Sequence, residues 1–236
     1  MSGIRVLPVE GIPEVQEGDD LAALLDKAAD FEQGDVLVVA QKVVSKAEGR
    51  VVRLDDVEAS ERARELAADR DPRELEVVLR EARRLVRVRP PLVVAETRHG
   101  FVCASAGVDH SNTGRLGTLV LLPLDPDGSA RRLSVRLGVA VIVSDSFGRP
   151  FRLGTTDVAI GVAGIPPLLD LRGMRDPIGY ELRTTMIAVA DEIAGAAELV
   201  MGKTARIPAA IVRGLSLRGE GNARDLVMPA ERDLFR

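Results

Sequence analysis

Residues 138–164 constrain the fold most, because two apolar runs there flank a segment rich in polar residues, glycine and arginine. The first run, Val139 to Val143, has the length and branched side chains typical of a buried strand. It ends at Ser144-Asp145-Ser146, and a segment rich in Gly, Arg and Thr continues to Thr156. A carboxylate at a strand end can hold a hard cation, and such a loop offers donors to anionic oxygens. We therefore predict a metal and phosphate site here, with a polar surface turn as the alternative.

The composition is that of a globular protein with one large domain or two small ones. The chain has 236 residues, 46% of them apolar and 29% charged, which is enough to bury a core. A net charge of −4 and the absence of Trp argue against nucleic acid or a membrane surface as a partner. The single cysteine, Cys103, excludes an internal disulfide, and we interpret it as a buried thiol. Without a targeting or transmembrane pattern, we expect a cytoplasmic protein.

Helix and strand patterns alternate along the chain, with a hairpin pattern in the middle. Asp71-Pro72 predicts the start of a helix whose apolar face extends to Ala82 and Val86. A second helix is predicted from Glu181 to Val200, with Met186 facing inward. We therefore predict an α/β (α+β) fold with a mixed sheet and flanking helices. A single domain would cover residues 1–236, with residues 216–236 as a C-terminal tail.

Two further polar segments follow predicted strands. The segment from Gln41 to Lys46 follows an apolar run and contains two of the four lysines, which suit phosphate unless they lie in a solvated turn. Asp109 follows another run, and together with Asp145 it could hold Mg²⁺ or Mn²⁺. Ser146 could add a hydroxyl ligand, and Asn112 could orient a nucleotide or phosphate. Arg149 and Arg152 could clamp an anion, unless one of them is only a surface residue.

Other polar motifs are assigned no catalytic or metal-binding role. Gly202-Lys203-Thr204 resembles the end of a P-loop, but Ala197 replaces the required first glycine and the triplet follows a helix. His99 is predicted to be exposed in a turn. His110 lacks a second His or a Cys at zinc spacing, so we interpret it as a loop side chain.

Four segments, in this order, carry a resemblance to a known family: GDVLVVAQKVVSKAEGR, GFVCASAGVDHSN, VSDSFGRPFRLGTTDVAIGVAG and ELVMGKTARIPAAIVRGL. From about Leu7 to Leu215 the chain resembles the coenzyme F-420 gamma-glutamyl ligases. The resemblance implies the family's own mixed α/β fold in an intertwined homodimer. It also implies a GTP- and metal-dependent ligase that joins L-glutamate to the deazaflavin phospholactate acceptor through an acyl phosphate. Further glutamates would be added through gamma linkages, with release of GDP and phosphate.

Matching positions carry the family's site residues onto this chain. The residues that the resemblance implies for GTP are Leu7, Pro8, Val9, Glu10, Gln41, Lys46 and Asn112. Asp109 and Asp145 would bind one Mg²⁺ or Mn²⁺ and Ser146 a second, with K⁺ as a further candidate ion. The predicted phosphate and substrate loop contains Arg149, Arg152 and Thr155. Some relatives carry an acidic residue where this chain has Ala205-Arg206, so the resemblance supplies no further ligand for the second metal.

Two alternatives to a ligase stay open. One is a GTP-dependent phosphotransferase that acts on another small carboxylic acid and stops at the phosphorylated product. The other is a metal- and nucleotide-binding module without turnover. In the ligase mechanism, positioning and charge neutralisation do the work, and no side chain need become covalently attached.

Overall fold

The computed structural model describes residues 3–217 and 219–234. The strands are β1 (Arg5–Val9), β2 (Val36–Ala40), β3 (Val51–Arg53), β4 (Ala82–Arg89), β5 (Leu92–Thr97), β6 (Val102–Ala104), β7 (Thr118–Val120), β8 (Ala140–Arg149), β9 (Arg152–Ala163), β10 (Leu169–Asp170), β11 (Met186–Ile187) and β12 (Ala209–Arg213). The α-helices are α1 (Leu21–Ala28), α2 (Gln41–Ala47), α3 (Glu61–Ala67), α4 (Pro72–Glu81), α5 (Pro126–Leu137) and α6 (Val189–Met201). None of the helices in these described ranges is long and apolar enough to cross a membrane.

The main sheet has five strands in the order β1-β12-β2-β8-β9. Strands β2 and β8 run parallel, whereas the other neighbouring pairs are antiparallel, so the predicted mixed sheet is confirmed. Four consecutive residues of β2, Val36 to Val39, are buried, as expected for a strand covered on both faces. Helices α5 and α6 pack on the sheet, and α1 packs beside α5.

A second apolar core lies in the segment between α2 and α5. It is built from α3, α4 and the small sheet β4-β5-β6, together with the ribbon β3-β7. Leu75, Val78 and Leu119 are fully buried at its centre. The chain therefore contains two apolar clusters, while the prediction of one domain over residues 1–236 stays a prediction.

Strand register gathers several chain segments at one edge of the main sheet. Ala40 at the end of β2 lies opposite Ser144 in β8. Val39 lies opposite Ala209, the first residue of β12, and Ala209 in turn lies opposite Val9 at the end of β1. The ends of β1 and β2, the start of β12 and the middle of β8 therefore meet along one side.

The prediction that the central strand ends at Ser144 and gives way to a loop is wrong. β8 continues to Arg149 and β9 begins at Arg152, so this segment is a long antiparallel hairpin. A register shift between Val143 and Ser144 marks an irregularity at the point where polar residues begin. Asp145 therefore lies inside a strand, opposite Val158, rather than after a strand end. Antiparallel pairing with β9 allows the polar residues to remain extended.

Three other local predictions are wrong. Helix α4 ends at Glu81, and Ala82 and Val86 belong to β4, which pairs with β5. Met186 lies in β11, and the last helix begins only at Val189. His99 is partly buried rather than exposed, because its Nε2 lies 2.9 Å from the carbonyl oxygen of Pro123.

Candidate nucleotide and metal site

A cleft of about 660 Å³ opens at the edge where these strands meet. Its walls come from the turn after β1, the start of α2, the middle of the β8–β9 hairpin, the loop after Asp109 and the turn after α6. The predicted site residues that line it are Gln41, Lys46, Asn112, Asp145 and Ser146. The fold thus brings together side chains that lie far apart along the sequence.

The first turn of α2 places a buried amide in the cleft wall. Gln41 follows β2 directly and is only 1% exposed. Its Oε1 accepts a hydrogen bond from Ser45 Oγ at 2.8 Å, whereas its Nε2 has no hydrogen-bond partner among the described residues. An unpaired buried donor costs about 1–3 kcal/mol. An oxygen atom of a bound ligand would relieve that cost.

Three of the four lysines line the same cleft. Lys46, which is 6% exposed, forms an ion pair with Glu14 at 2.5 Å. Lys42 forms an ion pair with Asp109 at 2.6 Å. Lys203 Nζ donates to Ser146 Oγ at 2.7 Å. The segment from Gln41 to Ala47 is a helix with a buried lysine, so the alternative of a solvated basic turn is wrong.

Asp145 is the most perturbed carboxyl group of the cleft. Burial, together with repulsion from Asp109 and Asp157, raises the pKa of Asp145 to about 7. Burial also raises the pKa of Asp109, but hydrogen bonds from Lys42 and Ser111 outweigh it and hold that pKa below its usual value. Because Asp145 forms no ion pair within the described chain, a bound cation would supply the missing positive charge.

A hydroxyl–carboxylate network crosses from β8 to β9 on the floor of the cleft. Asp157 is buried, and its two carboxylate oxygens accept from Ser144 Oγ at 2.9 Å and from Ser146 Oγ at 2.6 Å. Ser146 lies directly opposite Asp157 in the hairpin. The network fixes the direction of the Ser146 hydroxyl, which is one of the predicted metal ligands.

These residues fit one divalent cation better than two. Among the described residues, no three His, Cys, Asp or Glu side chains form a cluster that could hold a metal ion. A cation beside Asp109 and Asp145 would therefore need water and phosphate oxygens as its remaining ligands, which is the usual environment of Mg²⁺. The second predicted metal site, at Ser146, fits a cation less well, because the Ser146 hydroxyl already accepts a hydrogen bond from the ammonium group of Lys203.

Several predicted site residues lie outside the cleft lining. Leu7, Pro8 and Val9 belong to β1 and Glu10 follows it, whereas the lining begins at Ile12. The residues near the end of the hairpin that are exposed and away from the cleft are Arg149, Arg152 and Thr155. Asp109 lies beside the cleft, held by Lys42. For all of these residues, a role in binding stays a prediction.

The sequence reasoning missed some residues of the cleft. Asp157 could have been found by pairing the two halves of the hairpin, which sets it opposite Ser146. Glu14 and Glu198 also line the cleft, but they lie in a turn and on a helix without any local motif. Lys203 belongs to the triplet that resembles a P-loop, and its place in the cleft depends on long-range contacts with β8.

Comparison with known proteins places the chain in a family. The family model described as F420-0:Gamma-glutamyl ligase matches residues 11–214. Coenzyme F420:L-glutamate ligase of Methanopyrus kandleri is 47% identical, and the alignment covers 100% of both chains. The enzyme of the same name from Methanothermobacter thermautotrophicus is 45% identical over 99% of both chains. That from Archaeoglobus fulgidus is 44% identical over 99% of this chain and 96% of the relative.

Proposed function

Because this chain belongs to the F420-0:gamma-glutamyl ligase family, we propose that it ligates L-glutamate to the deazaflavin F420 precursor through gamma linkages. We further propose that GTP supplies the energy and that Mg²⁺ or Mn²⁺ is required. The observation that carries this proposal is the convergence of Gln41, Lys46 and Asp145 in one cleft, within a chain that is similar to such ligases along its length.

The four basic side chains of the cleft support a triphosphate as ligand, and a divalent cation would offset the four carboxylates that also line it. The cleft is lined by three ammonium groups, those of Lys42, Lys46 and Lys203, and by the guanidinium group of Arg206. The unpaired Nε2 of Gln41 is a further donor for an oxygen atom. Lysine binds phosphate as a compact point charge, so this set can neutralise an extended anion. Two of the lysines pair with carboxylates in the free protein, and those pairs would rearrange around the nucleotide.

The proposed reaction has two steps. The lactyl carboxylate of the acceptor attacks the gamma-phosphate of GTP, which forms an acyl phosphate and releases GDP. The amine of glutamate then attacks the acyl carbon, and phosphate leaves. Asp109 and Asp145 would hold a divalent cation, which neutralises phosphate charge when bound. The protein's own groups would position the reactants and neutralise their charge, with Lys46 and Gln41 holding phosphate oxygens.

We also propose that the protein acts as a cytoplasmic homodimer. The end of the β8–β9 hairpin carries two large apolar side chains with high exposure, Phe151 at 89% and Leu153 at 97%. Exposed apolar side chains at the end of a protruding hairpin are typical of a surface that a second protein chain covers. In such a dimer, Arg149 and Arg152 would lie at or near the interface. Light scattering after gel filtration tests the dimer, and Leu153→Glu is expected to shift the mass towards the monomer.

The decisive experiment combines the purified protein with GTP, Mn²⁺, L-glutamate and the deazaflavin acceptor. Mass spectrometry should show the acceptor with one or more added glutamates, together with equal amounts of GDP and phosphate. A phosphorylated acceptor without glutamate consumption would indicate the phosphotransferase instead. Absence of phosphate release under all these conditions would indicate a binding module without turnover. Either of these results would reject the proposed ligase.

Lys46 offers a matched test of the nucleotide site. Lys46→Ala should raise the KM for GTP about tenfold or more, because a buried ammonium group in the cleft is lost. Lys27→Ala is the control, since Lys27 is an exposed residue in the last turn of α1 and does not line the cleft. A GTP dependence that is the same in both variants and in the unaltered protein would show that Lys46 does not contact the nucleotide.

A further inference from the structure

The hydroxyl of Ser146 takes part in two hydrogen bonds. Its Oγ donates to Asp157 Oδ1 at 2.6 Å and accepts from Lys203 Nζ at 2.7 Å. A hydroxyl group has one proton and two lone pairs, so a single lone pair is left. A metal ion bound there would face the ammonium group across the same oxygen atom, and two positive charges at that separation repel each other strongly.

Lys203 is held in this position by the main chain as well. It follows α6 after Gly202, whose φ of 57° turns the chain out of the helix direction. The carbonyl oxygen of Lys203 accepts a hydrogen bond from Asn112 Nδ2 at 3.2 Å. Lys203 is exposed, and it contacts β8 through its side chain and the loop after Asp109 through its backbone.

The charge of Lys203 is not neutralised within the described part of the chain. Lys42 and Lys46 each form an ion pair with a carboxylate, whereas the ammonium group of Lys203 donates to the neutral hydroxyl of Ser146 and forms no ion pair with any described residue. Its ammonium group has three donors, and two of them are left for anionic oxygens. Arg206, which also lines the cleft and forms no ion pair within the described ranges, adds positive charge rather than a metal ligand.

We infer that the Lys203 ammonium group takes the place of a second divalent cation, so that this active site works with one divalent ion and one lysine. The inference rests on the proposed ligase function and names the group that neutralises the phosphate beside Ser146. The inferred site holds one divalent cation, whereas two cation sites were expected from the sequence. The reason is geometric, since the hydroxyl that would bind the second ion is already the acceptor of a lysine.

Counting bound ions tests this inference without measuring activity. The full-length protein is titrated with Mn²⁺ in the presence of saturating GDP, and the unbound Mn²⁺ is measured by electron paramagnetic resonance. One ion per chain is expected for the unaltered protein and for the control Lys27→Ala. Two ions per chain bound with comparable affinity would overturn the inference. Because this count uses the unaltered protein, it stands even if a Lys203 variant fails to fold.

Kinetics of Lys203 variants give a second, independent test. Lys203→Ala should lower kcat on the order of a hundredfold, as expected when one preorganised group that stabilises developing charge is removed. Lys203→Arg, which keeps the charge, should retain more activity than Lys203→Ala. A kcat for Lys203→Ala within about twofold of the unaltered protein would overturn the inference. Two ions in a protein that ligates glutamate would reject only the inference, whereas one ion without any ligation would reject only the proposed function.

Discussion

Replacing Asp145 by asparagine should stabilise the metal-free protein while it abolishes turnover. Asp145 is a carboxyl group whose pKa burial raises to about 7 in the folded protein, against 3.8 for the unperturbed group. A carboxyl with a raised pKa is favourable to folding in its protonated form. Its contribution to stability is therefore present below pH 3.8 and is lost as the pH rises towards 7. Above that range, the folded protein contains a buried negative charge without a cation.

The size of the stabilisation by Asp145→Asn follows from the shift in the pKa of Asp145. Each pKa unit corresponds to about 1.4 kcal/mol, so a rise of about three units corresponds to at most about 4 kcal/mol at pH 8. Water in the cleft reaches part of the side chain, which reduces the penalty. We expect Asp145→Asn to stabilise by about 2 kcal/mol at pH 8. For a chain of this length, that is roughly 5 °C in Tm.

Urea denaturation at pH 8 and at pH 4, with EDTA present, measures the difference directly. The advantage of Asp145→Asn should be largest at pH 8 and close to zero at pH 4, where the unaltered carboxyl group is protonated in the folded state. Adding Mn²⁺ with GDP should stabilise the unaltered protein and not the variant. A variant that is less stable at pH 8, or equally more stable at both pH values, would refute the electrostatic reasoning. Near-normal ligation by the variant would refute the metal role.

Three further predictions test the fold. Asp35→Asn should cost about 3 kcal/mol in urea denaturation, because it leaves Arg213 without its buried partner, which lies 2.7 Å away; unchanged stability would contradict the importance of this pair. Gly161→Ala should destabilise the protein by about 3 kcal/mol, because the added Cβ would lie 2.3 Å from a carbonyl oxygen of α5. Gly148→Ala is the control, since its Cβ would meet nothing within 4 Å and should change stability little. Equal effects of the two substitutions would contradict this packing. Cys103 should react with iodoacetamide only after unfolding, because burial raises the pKa of its thiol to about 12; fast labelling of the native protein would contradict its burial.

Much of the main sheet could be predicted because its signals are local. The valine-rich run of β2 and the apolar first half of β8 identify buried strands by composition alone. Asp20 and Asp71 cap helices α1 and α4 as their positions in the sequence suggest, with side chains that accept backbone hydrogen bonds. These features need no knowledge of the rest of the chain.

The remaining features depend on partners that are distant in sequence. The polar half of β8 is a strand only because β9 pairs with it, and a segment rich in Gly, Arg and Thr has no strand signal of its own. The helix signal of α4 continues into Ala82 and Val86, but pairing with β5 overrides it. Likewise, nothing near Lys203 in the sequence indicates Ser146 as its partner, because that contact spans 57 positions.

The most direct test of the nucleotide and metal site is a crystal structure of the protein with GDP and Mn²⁺, with the anomalous signal of manganese measured. We expect GDP in the cleft beside Gln41 and Lys46, and a manganese peak between the carboxylates of Asp109 and Asp145. A manganese ion bound elsewhere, or these two side chains directed into separate regions around the nucleotide, would contradict the proposed site.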